Sequence, residues 1–158
     1  MSDLTIVEAR WPQDHNAVLA LFRDYVAGLG IDLSFQGVDA EFAALPGKYA
    51  RPHGLVLLAR HGGEAVGTVA YRPLTLGACE MKRLYVAPAA RGLGTGRRLC
   101  DRLIAEARGA GYRRMLLDTG DWLTAALALY RALGFAEIPA YYHNPLKGTV
   151  YMARNLQD

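Results

Sequence analysis

A glycine-rich turn constrains the fold of this chain more than any other feature of its sequence. The turn runs from Arg91 to Gly96 and has glycine at every second position. It follows the predicted strand Cys79–Val86, and it precedes a segment in which the apolar residues have helical spacing. Glycines this close together allow left-handed backbone conformations and let a ligand approach the main chain. Because main-chain N–H groups converge in such a turn and at a helix N-terminus, the unit predicts a site for an anion.

Two well-known phosphate-binding motifs do not fit this turn. A P-loop ends in Gly-Lys-Ser or Gly-Lys-Thr, whereas Gly96 is followed by Arg97 and Arg98. A dinucleotide fingerprint, G-x-G-x-x-G, needs glycine at position 97 or 99, and Arg97 and Leu99 stand there. The turn is therefore either a different class of anion site or a turn without a ligand.

Positive charge is concentrated around the same turn. The whole chain of 158 residues has a net charge of +3. The segment Lys82–Arg114 holds nine basic and two acidic residues, a net charge of +7, which leaves −4 for the rest of the chain. A local positive field indicates an anionic partner. Aromatic residues are scarce in the segment (Tyr85 and Tyr112), so it offers few stacking platforms, and a small polyanion fits better than a nucleic acid.

The periodicity of the apolar residues predicts an order of strands and helices, β-α-α-β-β-β-α-β-α-β-β. The predicted strands are Leu4–Arg10, Leu55–Arg60, Ala65–Arg72, Cys79–Val86, Arg113–Asp118, Ala136–Ile138 and Thr149–Asn155. The predicted helices begin after Asp14, at Val38, after Gly96 and at an Asp121 N-cap, and the last one ends at Gly134. Hairpins make the early pairs antiparallel, and the crossover after Val86 makes the next pair parallel. This order predicts one α/β (α+β) domain over residues 1–158, with three α-β-α layers and a mixed, mainly antiparallel sheet.

Two motifs carry a family resemblance. The turn reads R-x-x-G-x-G over Arg91–Gly96, after the strand end L-Y-V-A-P, and the late helix ends Y-R-A-L-G-F over Tyr130–Phe135. At this spacing they resemble the acetyl-CoA loop and the late-helix signature of the GCN5-related N-acetyltransferase (GNAT) family. The order of elements is similar to that of the family from Leu4 to Asn155. The resemblance implies the acyl-CoA N-acyltransferase fold and direct transfer of acetyl from acetyl-CoA to an amine in a ternary complex. A non-catalytic CoA-binding regulatory module is the alternative.

The resemblance also implies where acetyl-CoA, the cosubstrate, lies. Pantetheine enters between the splayed strands that end at Val86 and Asp118, and it pairs with the first of them as an added strand. The pyrophosphate lies on the N–H groups of the glycine turn, near its arginines. The implied cofactor-binding residues are Leu84, Tyr85, Val86, Arg91, Gly92, Leu93, Gly94, Thr95, Gly96 and Arg97.

Catalytic roles follow from the same resemblance. Tyr130 occupies the family's tyrosine position and is the general acid at the thioester sulfur; the alternative is a packing residue of the helix. Glu80 is the general base, directly or through water; the alternative is a structural glutamate paired with Lys82. The amide near Leu84 is the expected donor to the oxyanion. Many family members carry asparagine seven residues before the tyrosine, and Leu123 stands there, so no contact is carried over to it.

The acceptor and the cellular setting are less constrained. The resemblance implies an acceptor site built from Ile31–His53 (with Asp32, Phe35, Gln36 and Tyr49) and Tyr141–Gly148 (with His143). A small-molecule amine and a peptide N-terminus or lysine all remain open, and dimerisation, common in the family, is not indicated either way. No His/Cys cluster has metal-ligand spacing, so no metal is expected. Short apolar stretches and the absence of a signal-peptide pattern predict a cytoplasmic protein with no membrane partner.

Overall fold

A computed structural model of the chain describes residues 3–32 and 37–157. The strands are β1 (Leu4–Glu8), β2 (Leu55–His61), β3 (Glu64–Thr75), β4 (Ala78–Val86), β5 (Arg114–Gly120), β6 (Ala136–Ile138) and β7 (Thr149–Asn155). The α-helices are α1 (His15–Leu29), α2 (Val38–Ala43), α3 (Thr95–Gly109) and α4 (Thr124–Ala132). The predicted order of elements is confirmed.

The strands form one mixed sheet in the order β1-β2-β3-β4-β5-β7-β6. Among the described strands, β4 and β5 are the parallel pair and the other neighbours are antiparallel, as predicted. A helical connection between β4 and β5 is what a parallel pair requires. Helix α3 makes this connection after the glycine turn, so the turn lies at the C-terminal end of the central strand β4.

Each face of the sheet carries its own apolar core. On one face, Leu99 and Leu103 of α3 pack with Leu127 of α4 against apolar strand residues. On the other face, Phe22 of α1 and Phe42 of α2 pack against the opposite sides of the same strands. Residues at alternate positions of a strand point to opposite faces, which lets one sheet serve two cores. The three-layer α-β-α architecture is therefore confirmed.

A bulge interrupts β4 at Arg83. Ala70 of β3 is opposite Lys82 and Thr68 is opposite Tyr85, so β4 holds one residue more than its partner between these pairs. Arg83 takes φ +64°, a left-handed conformation that is uncommon outside glycine. An extra residue of this kind bends a strand and redirects the side chains beyond it.

Strands β4 and β5 separate just before this bulge. Their pairing covers Ala78–Glu80 on β4 and Arg114–Leu116 on β5. Beyond it, β4 stays paired with β3, and β5 stays paired with β7 as far as Gly120. The two strands therefore diverge as the arms of a V, and a cleft opens between them.

The start of α4 corrects one detail of the sequence prediction. The helix begins at Thr124 with Leu123 in the N-cap position, so the assignment of Asp121 as its N-cap is wrong. The main-chain N–H of Asp121 donates to Gly148 O at 2.8 Å, because β5 continues to Gly120 beside β7. Asp121 therefore belongs to the strand end, not to the helix. Within residues 3–32 and 37–157, no helix is both long and apolar enough to span a membrane.

Candidate functional site

The cleft between β4 and β5 has two ends, and some residues line both of them. One end, the loop end, is lined by Tyr85 and Arg91 and opens beside the glycine turn. The other, the charged end, is lined by Lys82, Arg83 and Asp118 with apolar neighbours from α1 and from the segment before α4. Leu84 and Tyr130 line both ends. A group held at one end therefore meets a group held at the other beside these two residues.

The loop end is built from main chain. Gly92 and Gly94 have φ of +78° and +75°, which a residue with a side chain rarely adopts. Gly94 is the N-cap of α3, and no described side chain caps this helix. The first N–H groups of a helix have no acceptor inside it. The N–H groups of Thr95, Gly96 and Arg97 thus stand at the positive end of a 15-residue helix dipole, where an anion is stabilised.

Side chains hold this turn in shape. The hydroxyl of Thr95, a buried residue, donates to Ala90 O at 3.0 Å and ties the start of α3 back to the turn. The Arg91 guanidinium lies 5.7 Å from the centre of the Tyr85 ring and donates from Nε to Val86 O at 2.8 Å. These contacts join the end of β4 to the glycine turn.

Two further arginines of the basic segment have different surroundings. Arg97 is exposed and pairs with Asp101 one helical turn on, at 3.4 Å. Arg98 donates from Nη1 to Leu4 O on β1 at 3.0 Å. Arg97 therefore stays accessible beside the turn, whereas Arg98 fastens α3 to the edge strand.

Tyr130 is a buried residue of α4 that reaches the middle of the cleft. Its ring centre is 6.0 Å from that of Phe135 in an edge-to-face arrangement, which fixes the ring. Burial raises the pKa of the Tyr130 hydroxyl well above its ordinary value. The hydroxyl is therefore protonated throughout the physiological pH range and can donate a hydrogen bond into the cleft.

Glu80 lies at the point where β4 and β5 part, and its side chain is engaged within the protein. It is 2% exposed. Arg72 donates from Nε to its Oε1 at 3.2 Å, and the Tyr141 hydroxyl donates to its Oε2 at 2.6 Å. Arg72, directly opposite on β3, is therefore an ion-pair partner of Glu80. These contacts fix the position of the Glu80 carboxylate.

The charged end holds residues that sequence reasoning did not assign to the site. Asp118 lies on β5 beyond its last pairing with β4 and lines both ends of the cleft. Tyr142 donates a short hydrogen bond to Asp118 Oδ2, and Asn144 Nδ2 donates to the Tyr142 oxygen at 3.0 Å. The sequence offered one signal for Asp118. It is the single acidic residue at the end of the apolar stretch M-L-L-D, on a strand expected to diverge from its neighbour.

Trp122 is the second such residue. It lines the charged end while its side chain is partly open to solvent. The indole lies against Gly120, where a Cβ would come within 2.6 Å of the ring. Glycine at 120 is therefore required for the indole to fold back over the cleft.

The predicted acceptor segments are only partly at the cleft. Ile31, Leu146 and Asn144 line the charged end. Tyr49 is instead a core residue, 2% exposed, whose ring packs edge-to-face on Phe22 at 5.8 Å. Phe35 and Gln36 lie outside the described residues. Asp32 and His143 are exposed, and Leu123 lines both ends of the cleft.

Comparison with known proteins places the chain in a family. Residues 16–135 match the model of the Acetyltransferase (GNAT) family. The chain is 44% identical over 153 residues to an N-acetyltransferase of Schizosaccharomyces pombe, covering 96% of this chain and 94% of that one. It is 33% identical over 131 residues to the N-acetyltransferase YjgM of Escherichia coli, covering 80% and 78%. The chain belongs to the GNAT acetyltransferase family, and it is an N-acetyltransferase, as the sequence predicts.

A solved structure shows the same fold. The acetyltransferase yncA of Salmonella typhimurium, solved with its cofactor acetyl-CoA, superposes with a TM-score of 0.75 at 24% identity. The superposition covers 99% of this chain and 96% of that chain. The GNAT fold predicted for the chain is therefore confirmed.

Proposed function

We propose that the chain transfers an acetyl group from acetyl-CoA directly to an amine, with both substrates bound together in the cleft. The observation that carries this proposal is the V between β4 and β5, which has an uncapped helix N-terminus at one end and charged side chains at the other. The two ends meet beside Leu84 and Tyr130. An acyl donor entering from the loop end can therefore meet an amine entering from the charged end.

The loop end supplies what a pyrophosphate needs. Main-chain N–H groups of Gly92–Gly96 and Arg97, the helix dipole and the guanidinium of Arg91 all favour negative charge. Leu84, Tyr85 and Val86 form the free arm of the V, where an extended pantetheine chain fits as an added strand. Nothing bulkier than glycine occupies 92, 94 or 96, so an anion can reach the main chain.

Tyr130 is the proposed hydrogen-bond donor to the thioester sulfur of acetyl-CoA. The amine nitrogen attacks the carbonyl carbon, the C–S bond breaks, and negative charge moves to the leaving sulfur. A thiol has an ordinary pKa of about 8.5. Because burial holds the pKa of Tyr130 well above its ordinary value, full proton transfer to a thiolate is uphill. Tyr130 therefore acts by donating a hydrogen bond to the sulfur, and the Leu84 amide donates to the carbonyl oxygen as its charge develops.

Glu80 is our proposal for the proton acceptor, acting through a water molecule. Its carboxylate is held by Arg72 and Tyr141, so it is fixed near the bottom of the V. Glu80→Gln keeps the shape of the side chain and removes its basicity. We expect kcat/KM of the variant to recover as pH rises and the free amine becomes abundant. A loss that is equal at every pH would leave Glu80 a purely structural role.

An acetyl-enzyme route through cysteine has no support in the structure. Cys79 and Cys100 are both buried, and burial raises the pKa of each thiol to about 12. The thiolate is the nucleophilic form, so neither cysteine is available to accept acetyl at neutral pH.

Initial-rate kinetics test the proposed function. Rates are measured with acetyl-CoA and an accepted amine varied together. Intersecting reciprocal plots are expected for a ternary complex, whereas parallel plots would indicate an acetyl-enzyme and overturn direct transfer. A chain that binds acetyl-CoA tightly and acetylates no amine in a broad panel would be a binding module instead.

A further inference from the structure

The described residues that line the cleft include one acid, Asp118. It lines both the charged end and the loop end, together with Leu84 and Tyr130. It lies on β5 beyond Leu116, the last residue of that strand that pairs with β4. Glu80, the carboxylate near the bottom of the V, is not among the described residues that line either end. An amine that enters the cleft in its protonated form therefore meets a negative charge of the lining at Asp118.

Asp118 lies on the face of the sheet that α1 covers. Its neighbour Leu117 belongs to the core on the α3 face, and alternate residues of a strand point to opposite faces. Tyr130 belongs to the core on the α3 face. Asp118 and Tyr130 therefore approach the gap between β4 and β5 from opposite faces. A thioester held in this gap would have the proposed sulfur donor on one side and the Asp118 carboxylate on the other.

Tyr142 holds the Asp118 carboxylate in one orientation. Its hydroxyl donates to Asp118 Oδ2 and accepts from Asn144 Nδ2 at 3.0 Å. Tyr151, which is opposite Asp118 on β7, donates from its hydroxyl to Tyr142 O at 3.0 Å. The rings of Tyr141, Tyr142 and Tyr151 pack edge-to-face, with centres 5.3 to 5.6 Å apart. Tyr142 is thus fixed at its ring, its hydroxyl and its main chain.

The contact with Tyr142 leaves Asp118 able to bind a ligand. An ionised carboxylate has about four acceptor positions, so a further donor such as an ammonium can bind beside the Tyr142 hydroxyl. Asp118 is half-buried, so a ligand can reach it. Glu80 is instead 2% exposed, and its two oxygens accept from Arg72 and Tyr141. Of these two carboxylates, Asp118 is therefore the one that a ligand can contact.

The other charges and polar groups of the charged end do not repeat this property. Its basic residues, Lys82 and Arg83, are on β4, and Arg83 donates from Nε and Nη2 to the two carboxylate oxygens of Glu41 at 3.0 Å each. Neutral polar side chains also line this end: Tyr25, Thr119, Asn144 and Thr149. These groups can form hydrogen bonds with charged and uncharged acceptors alike. The carboxylate of Asp118 is therefore the group that distinguishes an ammonium from an uncharged amine.

We infer that Asp118 binds the ammonium of the acceptor and that Tyr142 is the positioning residue that orients its carboxylate. This inference rests on the proposed function, because it assigns the amine-binding group of the same cleft. The bound ammonium loses one proton, through water, to Glu80, which frees the nitrogen lone pair for attack. The preferred substrates are then aliphatic primary amines, which are protonated at neutral pH as a lysine side chain is. Arylamines are uncharged at neutral pH and gain nothing from the charge of Asp118.

The first experiment compares two isomeric amines that differ in charge. Phenethylamine is protonated at neutral pH, and 4-ethylaniline is not. Calorimetry with coenzyme A bound gives the Kd of each amine for the unaltered chain and for Asp118→Asn. Loss of one charge-assisted hydrogen bond should weaken phenethylamine by about 10- to 100-fold and leave 4-ethylaniline unchanged. Asp24→Asn, at an exposed acid of α1 that does not line the cleft, is the matched control and should change neither Kd.

Three outcomes would overturn the inference. They are equal weakening of both amines in Asp118→Asn, an unchanged Kd for phenethylamine in that variant, and no measurable binding of phenethylamine to the unaltered chain. Acetyl-CoA affinity shows whether Asp118→Asn is folded. Because binding is measured without turnover, these outcomes are distinct from failure of the proposed function, which would appear as acetylation of no amine in a broad panel.

The second experiment separates Tyr142 from its neighbour, and it does not depend on the folding of Asp118→Asn. Tyr142→Phe keeps the ring and removes the hydroxyl that orients Asp118, so it should weaken phenethylamine by about 10-fold and leave 4-ethylaniline unchanged. Tyr141→Phe removes a hydroxyl that holds Glu80 instead, so the Kd of phenethylamine should stay the same. Equal weakening in the two variants would indicate a packing effect and contradict the role of Tyr142.

A double variant tests whether Tyr142 acts through Asp118. Residues that act through one another have effects that do not add. In a folded Asp118→Asn chain, the further change Tyr142→Phe should therefore leave the Kd of phenethylamine where Asp118→Asn alone puts it. A further loss of about 10-fold, equal to that of Tyr142→Phe in the unaltered chain, would show that Tyr142 acts independently and would overturn its assignment as a positioning residue.

Discussion

The two ends of the cleft are built in different ways. At the loop end the donors belong to the main chain, and side chains such as Thr95 only hold the turn in shape. At the charged end the polar atoms belong to side chains from different elements, among them Lys82 on β4, Asp118 on β5 and Tyr142 before β7. A main-chain site requires particular backbone angles, so it tolerates few sequences. A side-chain site can be changed one residue at a time, so under the proposed function the acceptor could vary while acetyl-CoA binding stays the same.

The largest effect should come from the backbone of the loop end. Gly94→Val places a β-branched residue at φ +75° and pushes the main chain away from its ligand. We expect acetyl-CoA binding to be lost in calorimetry. Gly63→Val is the control, because φ is +85° there and the glycine has open space in a distant hairpin. It imposes similar strain and should keep the affinity. Equal losses in both variants would show that strain alone, not the loop, is responsible.

The charged end should respond to a loss of charge rather than of backbone shape. Glu41→Gln leaves the Arg83 guanidinium, 2% exposed in its side chain, without its carboxylate. Breaking a buried ion pair from one side costs about 3 kcal/mol, and urea unfolding should show a loss of this size. Glu64→Gln, at an exposed position at the start of β3, should change stability little. Unchanged stability of Glu41→Gln would mean that the ion pair between Glu41 and Arg83 does not stabilise the fold.

Tyr130 lies where the two ends meet, so its removal should affect turnover more than binding at either end. Tyr130→Phe is expected to lower kcat by about 100-fold, the scale of one hydrogen-bond donor to developing negative charge, with little change in acetyl-CoA affinity. Tyr112→Phe is the matched control, because that hydroxyl donates to His53 O outside the cleft. Steady-state kinetics and calorimetry give the two quantities. A normal kcat in Tyr130→Phe would remove the hydroxyl from the chemistry.

A smaller change at the loop end distinguishes an effect on ligand binding from an effect on protein folding. A Cβ added at Gly96 would meet Leu129 at 3.6 Å and Val86 at 3.9 Å, which are ordinary contacts, so Gly96→Ala should fold normally. A methyl group in the path of a tightly packed ligand should weaken acetyl-CoA binding by about 10-fold. Thermal unfolding without ligand checks that the chain is intact. Full affinity would mean that the ligand does not approach the main chain at this position.

The smallest expected effect concerns pH. Because burial raises the pKa of Tyr130 well above its ordinary value, the hydroxyl keeps its proton at neutral and mildly alkaline pH. The alkaline side of the kcat profile should therefore show no fall from Tyr130 up to about pH 10. A descending limb near neutrality that disappears in Tyr130→Phe would contradict this assignment.

The difference between the ends also explains what the sequence could predict. The glycine turn is contiguous and needs particular residue types, so its place between β4 and α3 was readable. The partner of Glu80 was not, because Arg72 reaches it through the β3–β4 register, which no local pattern encodes. The place of Asp118 in the cleft could not be predicted for a similar reason. A single acidic residue at a strand end lines a cleft only when the two strands separate. The cofactor contacts, the two catalytic roles, the domain extent and the cytoplasmic location stay predictions.

The bulge at Arg83 has a consequence for the length of β4. Cys79 and Met81 belong to the core on the α3 face, and after the bulge Leu84 and Val86 pack on that same face. Strict alternation would have sent them to the other side, where Tyr85 packs instead. One extra residue therefore exchanges odd and even positions along the strand. A strand of the same length without the bulge would turn Leu84–Val86 inside out, because every residue after Lys82 would face the opposite side of the sheet. The extra residue at position 83, more than the chemistry of its side chain, therefore keeps Leu84 and Val86 on the α3 face.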